Sequence, residues 1–152
     1  MNQKKLNNKG FSLVELIIVI AIMAVLIGLL APQFIKYVQR SKYSTDVKNG
    51  QEIATVIQTL IADNKLDTSQ TTDIAVSGSA IMTKAKESNL LTEVPVSKVD
   101  RANQFFATYD VKSGDVTVSI GKPASGTGAG TISDKSQLYP ELTGKYKEMM
   151  AE

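Results

Sequence analysis

The hydrophobic pattern separates a uniformly apolar N-terminal segment from a mixed remainder. From Phe11 to Ala31 almost every residue is apolar, and Glu15 is the one charged side chain among them. These 21 residues, at about 1.5 Å each, make roughly 32 Å of helix, which is enough to cross a hydrocarbon core of about 30 Å. The pattern therefore predicts a membrane-spanning helix that carries one carboxylate.

A single apolar stripe continues the helical pattern beyond this span. Its members recur mostly at three- and four-residue steps and are Ile35, Val38, Val47, Ile53, Val56, Ile57, Leu60 and Ile61. Asp63-Asn64 is a plausible stop. The sequence thus predicts one helix from Phe11 to about Asp63, apolar on all sides at first and one-sided afterwards, where it packs on a globular domain.

Two residues weaken this helix near the end of the span. Pro32 has no backbone N–H and crowds the carbonyl of Gly28, which is itself a poor helix former. We expect a kink between them, or local melting of the helix in an assembled state. Gly50 is a second weak point, or a site where the helix approaches the sheet closely.

The second half of the chain alternates polar loops with short regular elements. Residues 66–79 are polar and predict a surface loop, after which Ser79 caps a short helix from about Ala80 to Asn89. Residues 104–111 and 115–120 are rich in β-branched and aromatic residues and predict a hairpin. Residues 121–131 hold four glycines and predict a loop.

The last part of the chain predicts a short strand or turn at 138–142 and a helix at 145–150. An apolar face of the sheet is expected from Phe105, Ala107, Tyr109, Val116, Val118 and Ile120. The predicted fold class is α+β, with one long N-terminal helix packed on a small antiparallel sheet. Four tyrosines are expected in packing or at interfaces: Tyr37, Tyr43, Tyr139 and Tyr146.

Composition removes most catalytic and metal chemistry. The chain has no cysteine and no histidine, which excludes disulfides, zinc sites built on these residues, and Ser-His-Asp or Cys-His catalysis. No acid pair or polar cluster supports an enzyme, so we expect no enzymatic activity, cofactor or metal. Asp110, Asp115 and Asp134 are better explained as solvated strand-end acids than as a calcium site, and residues 126–130 as a flexible loop than as a phosphate cradle.

Charge is concentrated at the N-terminus. Lys4, Lys5 and Lys9 precede the apolar run and hold that end in the cytoplasm under the positive-inside rule. Without these three lysines, the chain has 14 basic and 15 acidic side chains. That balance gives no case for specific nucleic-acid binding.

Gly10, Phe11 and Glu15, between the basic leader and the apolar run, resemble the N-terminus of type IV prepilins and pseudopilins. The resemblance covers about Lys4 to Arg40. It implies cleavage after Gly10 by a prepilin peptidase and N-methylation of Phe11. It also implies a homo-oligomeric helical filament in which Glu15 of one subunit faces the Phe11 amine of a neighbour.

The resemblance also implies a place and a route for the protein. The subunit would wait in the cytoplasmic membrane as a single-pass protein. An assembly ATPase and platform made of other proteins would then lift it from the lipid bilayer into an extracellular pilus. The domain organisation that follows has a leader at 1–10, a membrane and polymerisation helix at 11–35, and a globular domain at 36–152. The globular domain divides into 36–63, 64–100 and 101–152.

Several alternatives stay open. The main one is a pseudopilin of a type II secretion or competence DNA-uptake machine. A secretory signal peptide lacks a good cleavage site near Ala31, and a plain membrane anchor leaves Glu15 unexplained. An enzyme or binding domain on an uncleaved anchor is a further possibility. Beyond the span, the basic side chains pair with acids of adjacent subunits, or form a solvated or lipid-facing surface; they are Lys36, Arg40, Lys42 and Lys48.

Overall fold

The structure, a computed structural model, describes residues 11–123 and 132–151. Its elements in chain order are α1 (Leu13–Ala62), β1 (Gln70–Ala75), α2 (Ala80–Glu87), β2 (Gln104–Tyr109), β3 (Val116–Pro123), β4 (Ile132–Tyr139) and α3 (Gly144–Ala151). Gly10, the three leader lysines and the glycine-rich residues 124–131 lie outside the described residues.

Helix α1 ends where Asn64 adopts a left-handed conformation, with φ of 51°. The N–H of Asn64 donates to the carbonyl of Ile61 at 3.0 Å, and the N–H of Lys65 donates to the carbonyl of Leu60 at 2.9 Å. This pair of bonds is a Schellman cap, which asparagine tolerates because its short side chain permits positive φ. The predicted helix is therefore confirmed to within two residues at each end.

The four strands form one antiparallel sheet in the order β1-β2-β3-β4. The central pair β2–β3 is in regular register, with Phe105 opposite Ile120 and Ala107 opposite Val118. Gly114, with φ of +78°, lies in the turn that joins them, a conformation that glycine adopts at no steric cost. The predicted α+β architecture and its central hairpin are confirmed.

Both edge strands were missed by the sequence prediction. Residues 70–75, predicted as part of a loop, form β1, and β4 begins at Ile132 although only a short strand or turn at 138–142 was expected. Residues 121–123, also predicted as loop, extend β3. Edge strands face solvent and favour polar residues. Because β1 and most of β4 are polar, their sequences were mistaken for loops.

The core lies between the second half of α1 and one face of the sheet. All six sheet residues expected on an apolar face are buried in it, together with Leu138 and Tyr146. From α1 it receives Val47, Ile53, Ala54, Val56, Ile57 and Leu60. Gly50 is also buried, and a Cβ added there would lie 2.8 Å from Cβ of Leu138. The predicted close approach of the helix to the sheet at Gly50 is confirmed.

Helix α2 ends like α1, with Asn89 at φ of 52°. Ile81 and Ala85 face the core as expected. Ser79 occupies the N-cap position but makes no side-chain cap, and its hydroxyl donates instead to the carbonyl of Val76 at 2.8 Å. The prediction that the Ser79 side chain caps α2 is therefore wrong, because the Val76 carbonyl competes for its hydroxyl.

The chain divides into two structural units at Val38 and Gln39. Every described side chain of the first unit, from Phe11 to Val38, is exposed. The second unit holds the sheet, the core and helices α2 and α3. The apolar residues of the first unit are therefore available to lipid or to other chains.

Candidate assembly site and its neighbourhood

The first described residues form the start of α1 and carry the sequence-predicted site. Phe11 is 94% exposed and lies just before the helix, while Glu15 lies in its first turn. Helix α1 contains a stretch that by length and composition alone is able to cross a membrane, and no part of that stretch is buried within the described structure. A carboxylate at such a place is costly unless it is compensated.

Glu15 is compensated by the helix that carries it. The backbone N–H of Ser12 donates to Oε2 of Glu15 at 2.8 Å, and the carbonyl of Ser12 accepts the first bond of the helix, from the N–H of Leu16, at 3.2 Å. This is the reciprocal half of a capping box, in which an acid three residues into the helix satisfies a backbone donor at its start. The negative side chain also lies at the positive end of the helix dipole.

This arrangement gives Glu15 a structural task that our sequence prediction missed. The Ser-x-x-Glu spacing of residues 12–15 is a recognised helix-start signal before an apolar run. Because a carboxylate accepts several hydrogen bonds, capping one backbone donor leaves it able to receive a further positive partner. The geometry therefore joins helix initiation and charge compensation in one side chain.

Gly28 and Pro32 both lie inside α1, which is assigned as helix throughout this region. A Cβ added at Gly28 would meet nothing within 4 Å. Pro32 removes one backbone donor from the helix ladder. The expected kink or local melting here stays a prediction for the assembled state.

A second polar cluster centres on Asp46 of α1 and was not foreseen. Asp46 is completely buried. Its Oδ2 accepts hydrogen bonds from the hydroxyls of Ser97 at 2.6 Å and Tyr146 at 2.8 Å, and its Oδ1 accepts one from the N–H of Lys98 at 2.7 Å. The N–H of Val99 adds a longer bond of 3.4 Å. Buried carboxylates of this kind need such donors because desolvation is expensive.

The Asp46 cluster fixes helix α3 on helix α1. The rings of Tyr43 and Tyr146 meet edge to face with centroids 4.8 Å apart, and the guanidinium of Arg40 donates to the carbonyl of Met150 at 3.4 Å. Burial, followed by the bond to Asp46, raises the pKa of Tyr146 above its ordinary value. The expectation that Tyr43 and Tyr146 serve in packing is confirmed.

Asp110, one of the three acids weighed for a calcium site, holds the turn that follows β2. Asp110 accepts bonds from the N–H of Lys112 at 2.9 Å and the hydroxyl of Ser69 at 2.8 Å, and these bonds hold the pKa of Asp110 below its usual range. Asp134 has a positive φ of 53° in β4. Within residues 11–123 and 132–151, no group of three acids is placed to hold a metal ion.

Comparison with known protein families finds a match at the N-terminus. The family model described as the prokaryotic N-terminal methylation motif matches residues 5–31. This range contains Phe11, Glu15 and Gly28. No solved structure matches the chain.

Two kinds of relative are similar in sequence. Three type IV major fimbrial proteins FimA of Dichelobacter nodosus are each 39% identical over 57 residues, which are 38% of this chain and 36% of theirs. The chain thus aligns with about a third of the length of these fimbrial proteins. Prepilin peptidase-dependent protein A of Clostridium perfringens (strain 13 / Type A) is 31% identical over 130 residues, which are 78% of this chain and 90% of that protein.

Proposed function

The chain belongs to the family of type IV pilins and pseudopilins, and on this premise we propose that it is the structural subunit of a type IV pilus. Members of the family are structural subunits rather than enzymes, and membership implies processing by prepilin peptidase and assembly into a filament. The observation that carries the proposal is a lone carboxylate, Glu15, in the first turn of an exposed apolar helix within the matched motif.

Processing comes first in the proposed mechanism. The leader lysines hold residues 1–10 in the cytoplasm until the peptidase cleaves after Gly10. Cleavage creates a free α-amino group on Phe11, which is then N-methylated. The new amine places a positive charge four residues from Glu15, at the start of a helix that lies in lipid.

Assembly follows from the same two groups. Residues 11–35 are the membrane and polymerisation helix, and residues 36–152 are the globular domain held outside the membrane. An ATP-driven platform made of other proteins lifts each subunit into the base of the filament. There Glu15 pairs with the Phe11 amine of a neighbour and sets the axial register, while Gly28 and Pro32 allow α1 to bend or melt. The product is a pilus on the bacterial cell surface.

Substitutions at Glu15 separate its two tasks. Gln at this position still accepts the Ser12 N–H bond but carries no charge, whereas Val loses both the cap and the charge. We expect Glu15→Gln and Glu15→Val to be inserted and cleaved normally and to assemble poorly to the same degree. Removing one member of a weakly screened charge pair costs on the order of 3 to 5 kcal/mol, which corresponds to a loss of filaments far beyond tenfold.

Electron microscopy and quantification of sheared filaments from cells of each variant would give the answer. Normal filaments from Glu15→Gln would contradict the charge pairing. Poor assembly by Glu15→Val alone would assign the effect to helix capping. Ser12→Ala is the matched control, because the bond to Glu15 comes from the backbone and survives this change.

A pseudopilin of a type II secretion or competence DNA-uptake machine is the second candidate. One observation favours keeping it: the similarity to fimbrial proteins is confined to 57 residues, while the relative that matches over 130 residues is named for its processing alone. Both candidates share cleavage, membrane residence and polymerisation. They differ in whether a long surface filament is formed.

A further inference from the structure

We propose that Asn49-Gly50 of α1 is a site of spontaneous deamidation that the fold of the second unit keeps inactive. It is the one place in the sequence where glycine follows asparagine. Because glycine has no side chain, its backbone nitrogen reaches the preceding side-chain amide with little steric obstruction. The chain therefore carries one chemically labile pair, and this pair lies within a helix.

The reaction needs only water and the groups of the chain itself. The deprotonated backbone nitrogen of Gly50 attacks Cγ of Asn49, a C–N bond forms, and the side-chain nitrogen leaves as ammonia with protons taken from water. Water then opens the five-membered succinimide at one of its two carbonyl carbons. The products are aspartate at position 49, or isoaspartate, in which the main chain runs through the former side chain.

The helix holds both reacting groups in an unproductive geometry. Helix α1 runs from Leu13 to Ala62, so the Gly50 N–H belongs to the helical hydrogen-bond ladder and the Asn49 backbone has a ψ of about −42°. Closure of the ring needs a different ψ at Asn49. It also needs the Gly50 nitrogen to lose its proton, which the ladder bond opposes. Deamidation therefore requires α1 to open at this point.

Two tertiary contacts oppose this opening. Gly50 is buried against Leu138 of β4, where an added Cβ would lie 2.8 Å from the Leu138 Cβ. One turn earlier along the helix, the completely buried Asp46 accepts a hydrogen bond from the Tyr146 hydroxyl at 2.8 Å. The turn of α1 that contains Asn49 is thus fastened to the sheet at one end and to α3 at the other.

The products do not fit the position of Asn49, which is half-buried. Isoaspartate adds one carbon to the main chain and so rotates the following part of α1, and Ile53 and Ile57, both buried, would no longer face the sheet together. Aspartate would add a negative charge one turn from Asp46, and like charges at this spacing destabilise a helix. A chain that is modified while open therefore differs permanently from one that stayed folded.

The test follows deamidation of the full chain in detergent micelles, in alkaline buffer with and without concentrated urea. Mass-spectrometric peptide mapping gives the rate at each asparagine, and chromatography separates the aspartate and isoaspartate peptides. We expect Asn49 to react at least about tenfold more slowly in the folded protein than in urea. The internal controls are Asn89 and Asn103, whose following residues carry large side chains, and they should react slowly in both conditions.

A variant connects the rate to the fastening of α1. Tyr146→Phe keeps the labile pair and loses the hydroxyl bond to Asp46, and the loss of a buried hydrogen bond raises the open population about 5–30-fold. We expect deamidation of Asn49 to accelerate by a similar factor in the folded variant and to be unchanged in urea. Thr45→Ala is the matched control, because it removes a bond within α1 alone, and its rates should equal those of the wild type.

Three results would overturn the proposal. Equal rates at Asn49 with and without urea would show that the fold gives no protection, and the absence of reaction in urea would show that the pair is not a site. Equal acceleration by Thr45→Ala and Tyr146→Phe would contradict the role of Asp46. All of these measurements use unassembled protein, so their outcome is independent of whether the chain forms a pilus.

Refolding tests the effect of the products on the core. Protein that is partly deamidated in urea is diluted into buffer and treated briefly with protease, which degrades open chains faster than folded ones. We expect isoaspartate at position 49 to be depleted at least about threefold in the resistant fraction. Equal amounts in the resistant and degraded fractions would contradict the predicted damage to the core.

Discussion

At the scale of single residues, Asp46 connects more separate elements of the fold than any charged residue that the sequence analysis singled out. Its carboxylate collects donors from residue 97 to residue 99 and from Tyr146. These residues belong to the loop before β2 and to α3, so one side chain of α1 holds both. In a chain without cysteine, this bonding closes the C-terminal end of the second unit.

Replacing Asp46 by Asn should therefore lower the free energy of unfolding of the second unit. The amide loses the charge-assisted bonds and points an NH₂ group at other donors, and we expect a loss of about 2 to 4 kcal/mol. Urea unfolding of the full chain in detergent micelles, followed by near-ultraviolet circular dichroism, would measure it. Thr45→Ala, which removes a bond within α1 alone, should change stability by no more than about 0.5 kcal/mol.

The raised pKa of Tyr146 predicts a specific pH dependence. Because the folded state disfavours the phenolate, the unfolded chain releases its proton first once the pH exceeds the ordinary value of 10.0. The stabilisation by the Tyr146 hydroxyl is therefore complete below pH 10 and is lost above it, at up to about 1.4 kcal/mol per pH unit.

Comparison with Tyr146→Phe isolates this effect. We expect the variant to be less stable than the wild type at pH 8, by about 1 to 2 kcal/mol, and the difference to shrink as the pH rises above 10. Tyr109, whose pKa is raised by burial, is present in both proteins and cancels. A constant difference from pH 8 to 11 would contradict a folded-state shift at Tyr146.

Some of the residues that matter in this structure could be identified from the sequence, and others could not. Phe11 and Glu15 stood out because a charge within an apolar run needs an explanation. Asp46 did not, since its partners lie 51 to 100 positions away and no local pattern marks a polar residue that long-range packing will bury. Ser12 was within reach, because its spacing to Glu15 is a local signal.

At the scale of secondary-structure elements, periodicity was reliable where one face of an element is buried. The stripe of α1 and the central strands β2 and β3 were predicted because their apolar positions repeat. The edge strands β1 and β4 were not, because pairing with a neighbour rather than apolar content holds them in place.

The contact between α1 and β4 makes a prediction about glycine. Gly50→Ala would place a methyl group 2.8 Å from Cβ and 2.9 Å from Cδ1 of the buried Leu138. We expect a loss of about 1 to 3 kcal/mol in unfolding experiments, although alanine favours helix. Gly28→Ala, where nothing lies within 4 Å, should leave the stability of the second unit unchanged, and equal losses from both would refute the packing explanation.

At the scale of the whole molecule, the two units differ in what they offer to their surroundings. The first presents apolar side chains on all sides of a helix, and the second encloses its own core. The family resemblance carried by Gly10, Phe11 and Glu15 implies a membrane and polymerisation helix at 11–35 and a globular domain at 36–152, and these roles stay predictions.

Processing and export predict the state of the N-terminus. Mass spectrometry of protein sheared from native cells should find N-methylated Phe11 as the first residue. The same N-terminus confined to membranes would favour the pseudopilin. An intact leader in mature filaments would contradict the processing. A Gly10→Glu variant, which we expect to remain an uncleaved membrane precursor, supplies the reference mass.

The hydrogen bonds that hold α3 have a consequence for how the second unit closes. A covalent crosslink needs an oxidant to form and a reductant to open, whereas the bonds to Asp46 break and re-form without either. Closure of the C-terminal end therefore requires no redox partner and no oxygen. A second unit that has been loosened therefore regains the same closed shape when these hydrogen bonds re-form.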